Sequence, residues 1–369
     1  MLNSNTFRVL TSIDLPDPWG VGIMPHLRQL YVSNFGDDSV SVVGTDPSAA
    51  DFHQESVRIP VGHGPRAVSC QPDAEDVLVA NWVGNTMDII NPGTNTVRKT
   101  ITALMNQPFD IVVTERQSAG YQGFGSAIYF AYISNFGSNT VVVFESGPDG
   151  PFGIGLDNIR GEVPTDAGQD DIKLIEPRGM TYDFGVNREG VYAGGVYVAH
   201  RDENGRGVVS RIQFTHQPVF GPIIINPPPG FFQPPGFSDR RFQVVSQWGT
   251  SPQSRLSGTS PTDVALSDLD VGGYQKLPTG GANLGSIAVT PGLYSNIAGS
   301  KHVWRIQPAP GTTYYPPGPW RAVYPDRLYI AYSDTGTIDV VSPEQGNSFL
   351  KKIDGNATPV QALVHFWNQ

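Results

Sequence analysis

A four-part pattern that returns along the chain constrains the fold more than any other feature of this sequence. In its clearest copy, Pro65–Arg66–Ala67–Val68–Ser69 is followed by a break at Gln71–Pro72–Asp73. Val77–Leu78–Val79–Ala80–Asn81 comes next, then a polar bend at Gly84–Asn85, then Thr86–Met87–Asp88–Ile89–Ile90. A turn at Pro92–Gly93–Thr94–Asn95 leads into Thr96–Val97–Arg98–Lys99–Thr100–Ile101. Each piece has the length and composition of a short strand, and each break carries turn residues.

The same order recurs. Trp19–Gly20–Val21–Gly22–Ile23, Leu30–Tyr31–Val32–Ser33–Asn34 and Ser39–Val40–Ser41–Val42–Val43 form one copy. Another runs from Pro108–Phe109–Asp110 through Ile133–Ser134–Asn135 to Thr140–Val141–Val142–Val143. A fourth starts at Pro177–Arg178–Gly179–Met180 and continues through Val196–Tyr197–Val198–Ala199–His200. Fifth and sixth copies are expected to open at Pro261–Thr262–Asp263 and Pro319–Trp320–Arg321, and a seventh at Pro359–Val360–Gln361. The clean copies lie about 40–47 residues apart, the period of a propeller blade. A single such sheet has two apolar faces and needs neighbours. Radial stacking covers both and leaves only short edges. The expectation is one all-β domain over residues 1–369, a β-propeller of four-stranded blades, seven in number or alternatively six, with long loop insertions.

Composition agrees. The 369 residues include 42 glycines and 32 prolines, and only 16% are charged, a profile of many strands and tight turns rather than helices. A net charge of −10 argues against a nucleic-acid partner, because an acidic surface repels phosphates. The single cysteine, Cys70, excludes an intrachain disulfide and reads as a buried, inert thiol. No apolar run is long enough to form a membrane-spanning helix, and no signal peptide is visible.

Tyr31–Val32–Ser33–Asn34, Val79–Ala80–Asn81 and Tyr132–Ile133–Ser134–Asn135, with the Ser-Val-Ser-Val and Thr-Asn-Thr-Val segments after them, resemble the YVTN repeat of surface-layer-type β-propellers. The likeness covers roughly residues 18–145 and 319–366 and fades over 215–310. It implies a seven-bladed propeller, extracytoplasmic (periplasmic or at the cell surface), often one module of a longer protein. It implies no single activity. Residues 215–249 depart from the pattern as a Pro/Phe-rich insertion or a degenerate blade. At the ends, Phe7–Ile13 looks like an outermost strand and Gln361–Phe366 like an innermost one, so the native chain is expected to continue beyond Gln369.

In such a repeat the loops before each first strand and after each second strand open on one face, around the central channel. That places Trp19, Arg66, Phe109, Asp110, Arg178, Asp263 and Arg321 at the openings, with Asn34, Asn81, Asn135, His200 and Asp334 at the exits. Arg66, Arg178 and Arg321 together could bind an anion through paired charge-assisted hydrogen bonds, with Asp110, Asp263 and His200 beside them. The competing structural reading pairs the arginines with Asp110, Asp263 and Asp334 and has the asparagines capping turns. Phe231, Phe232 and Phe237, in an apolar Pro-rich stretch, are candidates for a partner-binding arm or for covering a blade edge.

Chemistry-bearing motifs are absent from the chain. The seven histidines show no ligand spacing, Asp268–Leu269–Asp270 and Gln169–Asp170–Asp171 do not fit a calcium loop, and no nucleophile elbow or phosphate loop occurs. No metal, cofactor or catalytic residue is therefore assigned. The expected function is a non-catalytic binding or assembly module for a protein partner or a small anionic ligand. The alternatives are a metal-dependent propeller enzyme of lactonase or lyase type, using Asp110, Asp263 and His200, and a structural surface-layer subunit.

Overall fold

The computed structural model describes residues 9, 11–71, 76–113, 117–118, 127–146, 157–164, 172–183, 195–216, 240–250, 255–267, 287–289, 306–308, 327–342 and 348–354. The first blade contains β1 (Pro18–Met24), β2 (Gln29–Asn34), β3 (Ser39–Gly44) and β4 (Glu55–Pro60). The second contains β5 (Pro65–Cys70), β6 (Val77–Asn81), β7 (Thr86–Asn91) and β8 (Thr96–Ile101). In the third, β9 (Pro108–Val113) and the two-residue β10 (Gln117–Ser118) both pair with β11 (Ala127–Asn135), followed by β12 (Thr140–Ser146) and β13 (Asn158–Val163). The fourth comprises β14 (Met180–Asp183), β15 (Gly195–Arg201), β16 (Gly207–His216) and β17 (Arg240–Trp248). After β18 (Pro261–Ser267) comes a separate hairpin, β19 (Ile287–Val289) with β20 (Ile306–Pro308). Then β21 (Arg327–Tyr332), β22 (Thr337–Ser342) and β23 (Ser348–Asp354) complete the fifth blade with β18. All pairings within the blades are antiparallel between neighbours, the meander expected of a propeller.

The core lies between blades, and alternation along the middle strands builds it. Val77 and Val79 of β6 join Tyr31, Val40 and Val42 of the first blade, while Leu78 and Ala80 of the same strand join Ile111, Ile133 and Phe144 of the third. In β12, Val141 and Val143 face the fourth blade's Val196 and Val198, whereas Val142 and Phe144 face back to the second. Tyr197 and Ala199 then pack on Val264, Leu328 and Ile330 of the fifth. Buried on both faces, these strands need continuous apolar runs instead of a half-polar alternation, as Val-Leu-Val-Ala and Val-Val-Val-Phe show. Each fully buried Val, Leu, Ile or Phe contributes roughly 1.5–3 kcal/mol. The outermost strands differ. Among the residues of β4 only Ile59 is buried, and in β8 only Ile101, while arginine and lysine dress the rest. Charge on an edge strand prevents pairing with another chain.

Close approach of the inner strands demands glycine at Gly20, where a Cβ would lie 2.4 Å from the Arg66 carbonyl oxygen. Two serines fasten neighbouring blades beside the channel. The Ser33 hydroxyl accepts from the Gly20 N–H and donates to the Arg66 carbonyl at 2.8 Å, and Ser134 accepts from Asp110 N–H and donates to the Arg178 carbonyl at 2.7 Å.

One expectation about blade boundaries needs correction. The pattern opens separate blades at Pro261 and Pro319, yet β18 pairs with β21, with Val264 opposite Ile330 and Ala265 opposite Tyr329. Pro261 thus opens the blade whose second strand is Leu328–Tyr332, and residues 268–326 are an insertion between two neighbouring strands. Proline-led apolar runs resemble blade openings locally, but only the hydrogen-bonding partner decides which one starts a sheet. Arg240–Trp248, assigned above to an atypical stretch, is the fourth strand of the fourth blade, with Arg240 opposite His216. The run Thr11–Ile13, expected in an outermost strand, is irregular. The openings at Pro319 and Pro359 lie outside the described residues.

Candidate functional site

In the first, second, third and fifth blades the opening of the inner strand carries a register irregularity that turns one side chain out of the ladder. In the second blade Pro65 is opposite Asn81 and Ala67 opposite Ala80, so Arg66 is the extra residue. By the same count Phe109 is extra in the third blade, between Pro108 opposite Asn135 and Asp110 opposite Ser134, and Thr262 in the fifth. The first blade slips likewise between Pro18 and Val21, at Trp19–Gly20. A bulge re-aims the residue it inserts. Repeated around the ring, it delivers Trp19, Arg66 and Phe109 to one end of the channel. The second strand contributes the residue after the asparagine that recurs at its end, namely Phe35 after Asn34, Trp82 after Asn81 and Phe136 after Asn135.

These two sets meet. The Arg66 guanidinium carbon lies 3.7 Å from the centroid of the Phe109 ring, 4.4 Å from that of Trp19 and 5.2 Å from that of Trp82. Trp19 contacts Phe35 at 5.5 Å, and Trp82 contacts Phe109 at 5.6 Å and Phe136 at 5.2 Å. Three consecutive blades therefore surround one cation with aromatic rings, each such contact adding about 0.5–2 kcal/mol. The buried Nε of Arg66 has no hydrogen-bond partner among the described residues. Burial lowers the Arg66 pKa to about 10; the nearby Asp110 charge opposes this and the Arg178 charge adds to it.

The next blade extends the cationic side. Arg178 donates from Nη1 to Ser260 Oγ and from Nη2 to Glu176 Oε2, both at 2.9 Å, and its guanidinium sits 5.5 Å from the Phe136 ring. Arg201 donates to the same Ser260 oxygen at 2.7 Å and lies 3.3 Å from the same Glu176 oxygen. Burial and the Arg201 charge pull the Arg178 pKa below its ordinary value, with Glu176 opposing. Two arginines share one carboxylate and one hydroxyl here, a crowded arrangement for like charges.

The other candidates are placed as follows. Asp110 is half-buried and accepts the N–H of Met180 at 2.7 Å and that of Ile111 at 2.8 Å; burial pushes its pKa up to about 6 against these bonds and the Arg66 charge. Asp263 accepts the Val264 N–H at 2.8 Å and packs against Gly179. His200 is 1% exposed, its Nδ1 bonded to the Arg201 carbonyl and its Nε2 to Ser210 Oγ, both at 2.7 Å. It occupies the asparagine position of the fourth blade and is away from the channel surface. Burial lowers its pKa to about 4, with the Arg201 carbonyl opposing. Asn34 and Asn81 donate to hydroxyls and a carboxylate of the following hairpin, and Asn135 to the Leu104 carbonyl, so these asparagines cap local structure. In the fifth blade Tyr332, opposite Pro261, takes that position, and Asp334 lies beyond it, accepting from Thr259. Arg321, Phe231, Phe232 and Phe237 lie outside the described residues. Among the described residues no three His, Cys, Asp or Glu side chains are grouped as metal ligands, and no helix is long and apolar enough to cross a membrane.

Sequence reasoning missed Phe35, Trp82, Phe136 and Arg201. The available signal was the residue immediately after each Asn or His of the repeat, aromatic in three copies and arginine in the fourth.

Comparison with known proteins finds no matching family model and no matching curated protein. Among solved structures, a protein of Desulfotomaculum acetoxidans described as functionally unknown is similar at TM-score 0.46 and 12% identity, covering 96% of this chain and 91% of its own. A putative 6-phosphogluconolactonase of Bacteroides fragilis is similar at TM-score 0.47 and 13% identity, over 95% of this chain and 88% of that one. The Swd1 β-propeller domain of Myceliophteria thermophila follows at TM-score 0.41 and 8% identity, over 94% and 89%. The chain is an all-β protein of stacked, mostly four-stranded antiparallel sheets, a β-propeller.

Proposed function

We propose that this chain is a non-catalytic binding module that takes a small anionic ligand at the mouth of its channel. The observation that carries the reading is Arg66, a cation held in a ring of Trp19, Trp82 and Phe109 with its Nε unpartnered. A buried donor without an acceptor costs about 1–3 kcal/mol, and an anion arriving at the same guanidinium offsets the desolvation of its charge. Arginine supplies the in-plane pair of donors that suits a carboxylate or phosphate. Arg178, within electrostatic reach, adds a second positive charge. The YVTN-like repeats support an extracytoplasmic or surface setting, in which the propeller is one module of a larger assembly.

Isothermal titration of the full chain with acetate and with phosphate tests the site. Saturable binding that falls at least tenfold in Arg66→Met, with the thermal midpoint retained, supports the reading. Equal binding by the variant, or none by the native chain, rejects it. Fractionation of cells that naturally produce the protein tests the location, and recovery only in the cytoplasm would refute that part.

A further inference from the structure

The anion site is flanked by more apolar ring surface than an inorganic oxyanion can use. Two rings lie against the Arg66 guanidinium: the Phe109 centroid at 3.7 Å and the Trp19 centroid at 4.4 Å from its central carbon. A guanidinium packed in this way offers a ligand its edge, where two N–H groups lie in one plane. Around that edge the surface is aromatic. Trp19 is 39% exposed, and Trp82, Phe109 and Phe136 are each partly exposed.

Charge points the same way. Arg66, Arg178 and Arg201 are balanced at the mouth by Asp110, Glu176 and Asp334, the groups that act on them electrostatically or by direct pairing. With all six ionised the local sum is zero, so a dianion has no surplus of positive charge to meet. Arg178, moreover, has donors already committed to Ser260 and Glu176. The setting therefore favours a single negative charge delivered to one guanidinium edge, with affinity drawn from apolar contact as well as from charge.

We propose that the ligand is a monocarboxylate borne on a six-membered ring, its carboxylate on Arg66 and its ring against Trp19 and the neighbouring aromatic side chains. This rests on the anion-binding reading above and specifies it. Burying one face of such a ring removes apolar surface on both partners from water, a gain that acetate lacks almost entirely. The shared chemistry covers a flat aromatic acid and a saturated sugar acid, whose ring face presents C–H groups.

The test is titration of the full chain with acetate, phosphate, benzoate and glucuronate at matched pH and ionic strength, followed by calorimetry and by tryptophan fluorescence. The expected result is that benzoate or glucuronate binds at least tenfold more tightly than acetate. Benzoate as the tighter of the two indicates an aromatic acid, glucuronate a sugar acid. Trp19→Ala, at an exposed position, removes that advantage, so that the ring acids fall to the affinity the same variant shows for acetate. Arg66→Met weakens every anion. If acetate or phosphate binds as well as either ring acid, the inference fails while the anion site stands. If Trp19→Ala preserves the ring preference, the placement of the ring is wrong and the inference falls. If no anion binds the native chain, inference and site fail together.

Discussion

The carboxylate of Asp110, on the inner strand of the third blade, accepts the backbone N–H of Met180, on the inner strand of the fourth, at 2.7 Å. The bond ties two blades together beside the channel and places a titratable group next to Arg66. Burial holds its pKa near 6, above the unfolded value of about 3.9. The folded state therefore binds the proton more tightly than the unfolded one. The contribution to stability is fully present below about pH 4 and is lost as pH rises through 6, a change of roughly 2–3 kcal/mol. Denaturant unfolding of Asp110→Asn at pH 4.5 and 7 should show that this gain on acidification has disappeared.

His200 acts in the opposite direction over nearly the same window. Buried between Ser210 and the Arg201 carbonyl, it has a folded pKa of about 4 against 6.5 unfolded. Here the unfolded state binds the proton more tightly, so stability falls as pH drops from 6.5 towards 4, by about 3 kcal/mol. His200→Asn, which installs the residue found at this position in the first three blades, should remove that loss. Asp110→Asn should make the protein acid-labile, His200→Asn should make it gain stability on acidification, and the double variant should be flat between pH 4.5 and 6.5.

Anion affinity should follow the Asp110 proton. With Asp110 ionised, its charge partly cancels that of Arg66; with Asp110 neutral, Arg66 is left to an incoming anion. The other charged groups facing Arg66 and Asp110 are Arg178, Arg201, Glu176 and Asp334. Acetate affinity measured calorimetrically should rise several-fold from pH 7.5 to 5.5 in the native chain. In Asp110→Asn it should be high and independent of pH over that range, and a parallel rise there would contradict this account.

On the outer side of the second and third blades, Arg98 holds two buried carboxylates together. It donates to Asp76 from Nε and Nη2, both at 2.7 Å, and also pairs with Asp157. The acids are 2% and 0% exposed, and Tyr129 and Ser146 donate to them from the third blade. Removing one partner of such a network leaves charge stranded in a poorly solvated site, at a cost of about 3–5 kcal/mol. Arg98→Met should lower stability by that order, and the loss should change little between low and moderate salt because burial limits screening. A cost below 1 kcal/mol would show that water reaches these carboxylates.

Where the repeat is regular, the strands, their order and the burial of both faces of each middle strand were legible in the residues. Val77–Leu78–Val79–Ala80–Asn81 and Val141–Val142–Val143–Phe144 are apolar throughout because a blade packs on each side, and turn residues mark their ends. The opening positions of the candidate site were legible too, since Arg66, Phe109 and Arg178 each follow a proline. Their surroundings were not. Nothing local distinguishes Trp82 as a neighbour of Arg66 or Phe136 as a neighbour of Arg178, because the first contact joins two strands of one blade and the second crosses from the third blade to the fourth.

The sequence by itself determined the secondary structure and the propeller class, through a period that repeats and through strands that cannot be buried singly. Tertiary structure alone decided that Pro261 and Leu328 belong to one blade, because strand pairing is set by hydrogen bonds between residues more than sixty positions apart. It alone decided that His200 is a buried structural residue and that Arg66 is enclosed by rings from three blades. A bulge and its neighbours create that enclosure by bringing side chains together in space, and distance along the chain carries no record of it.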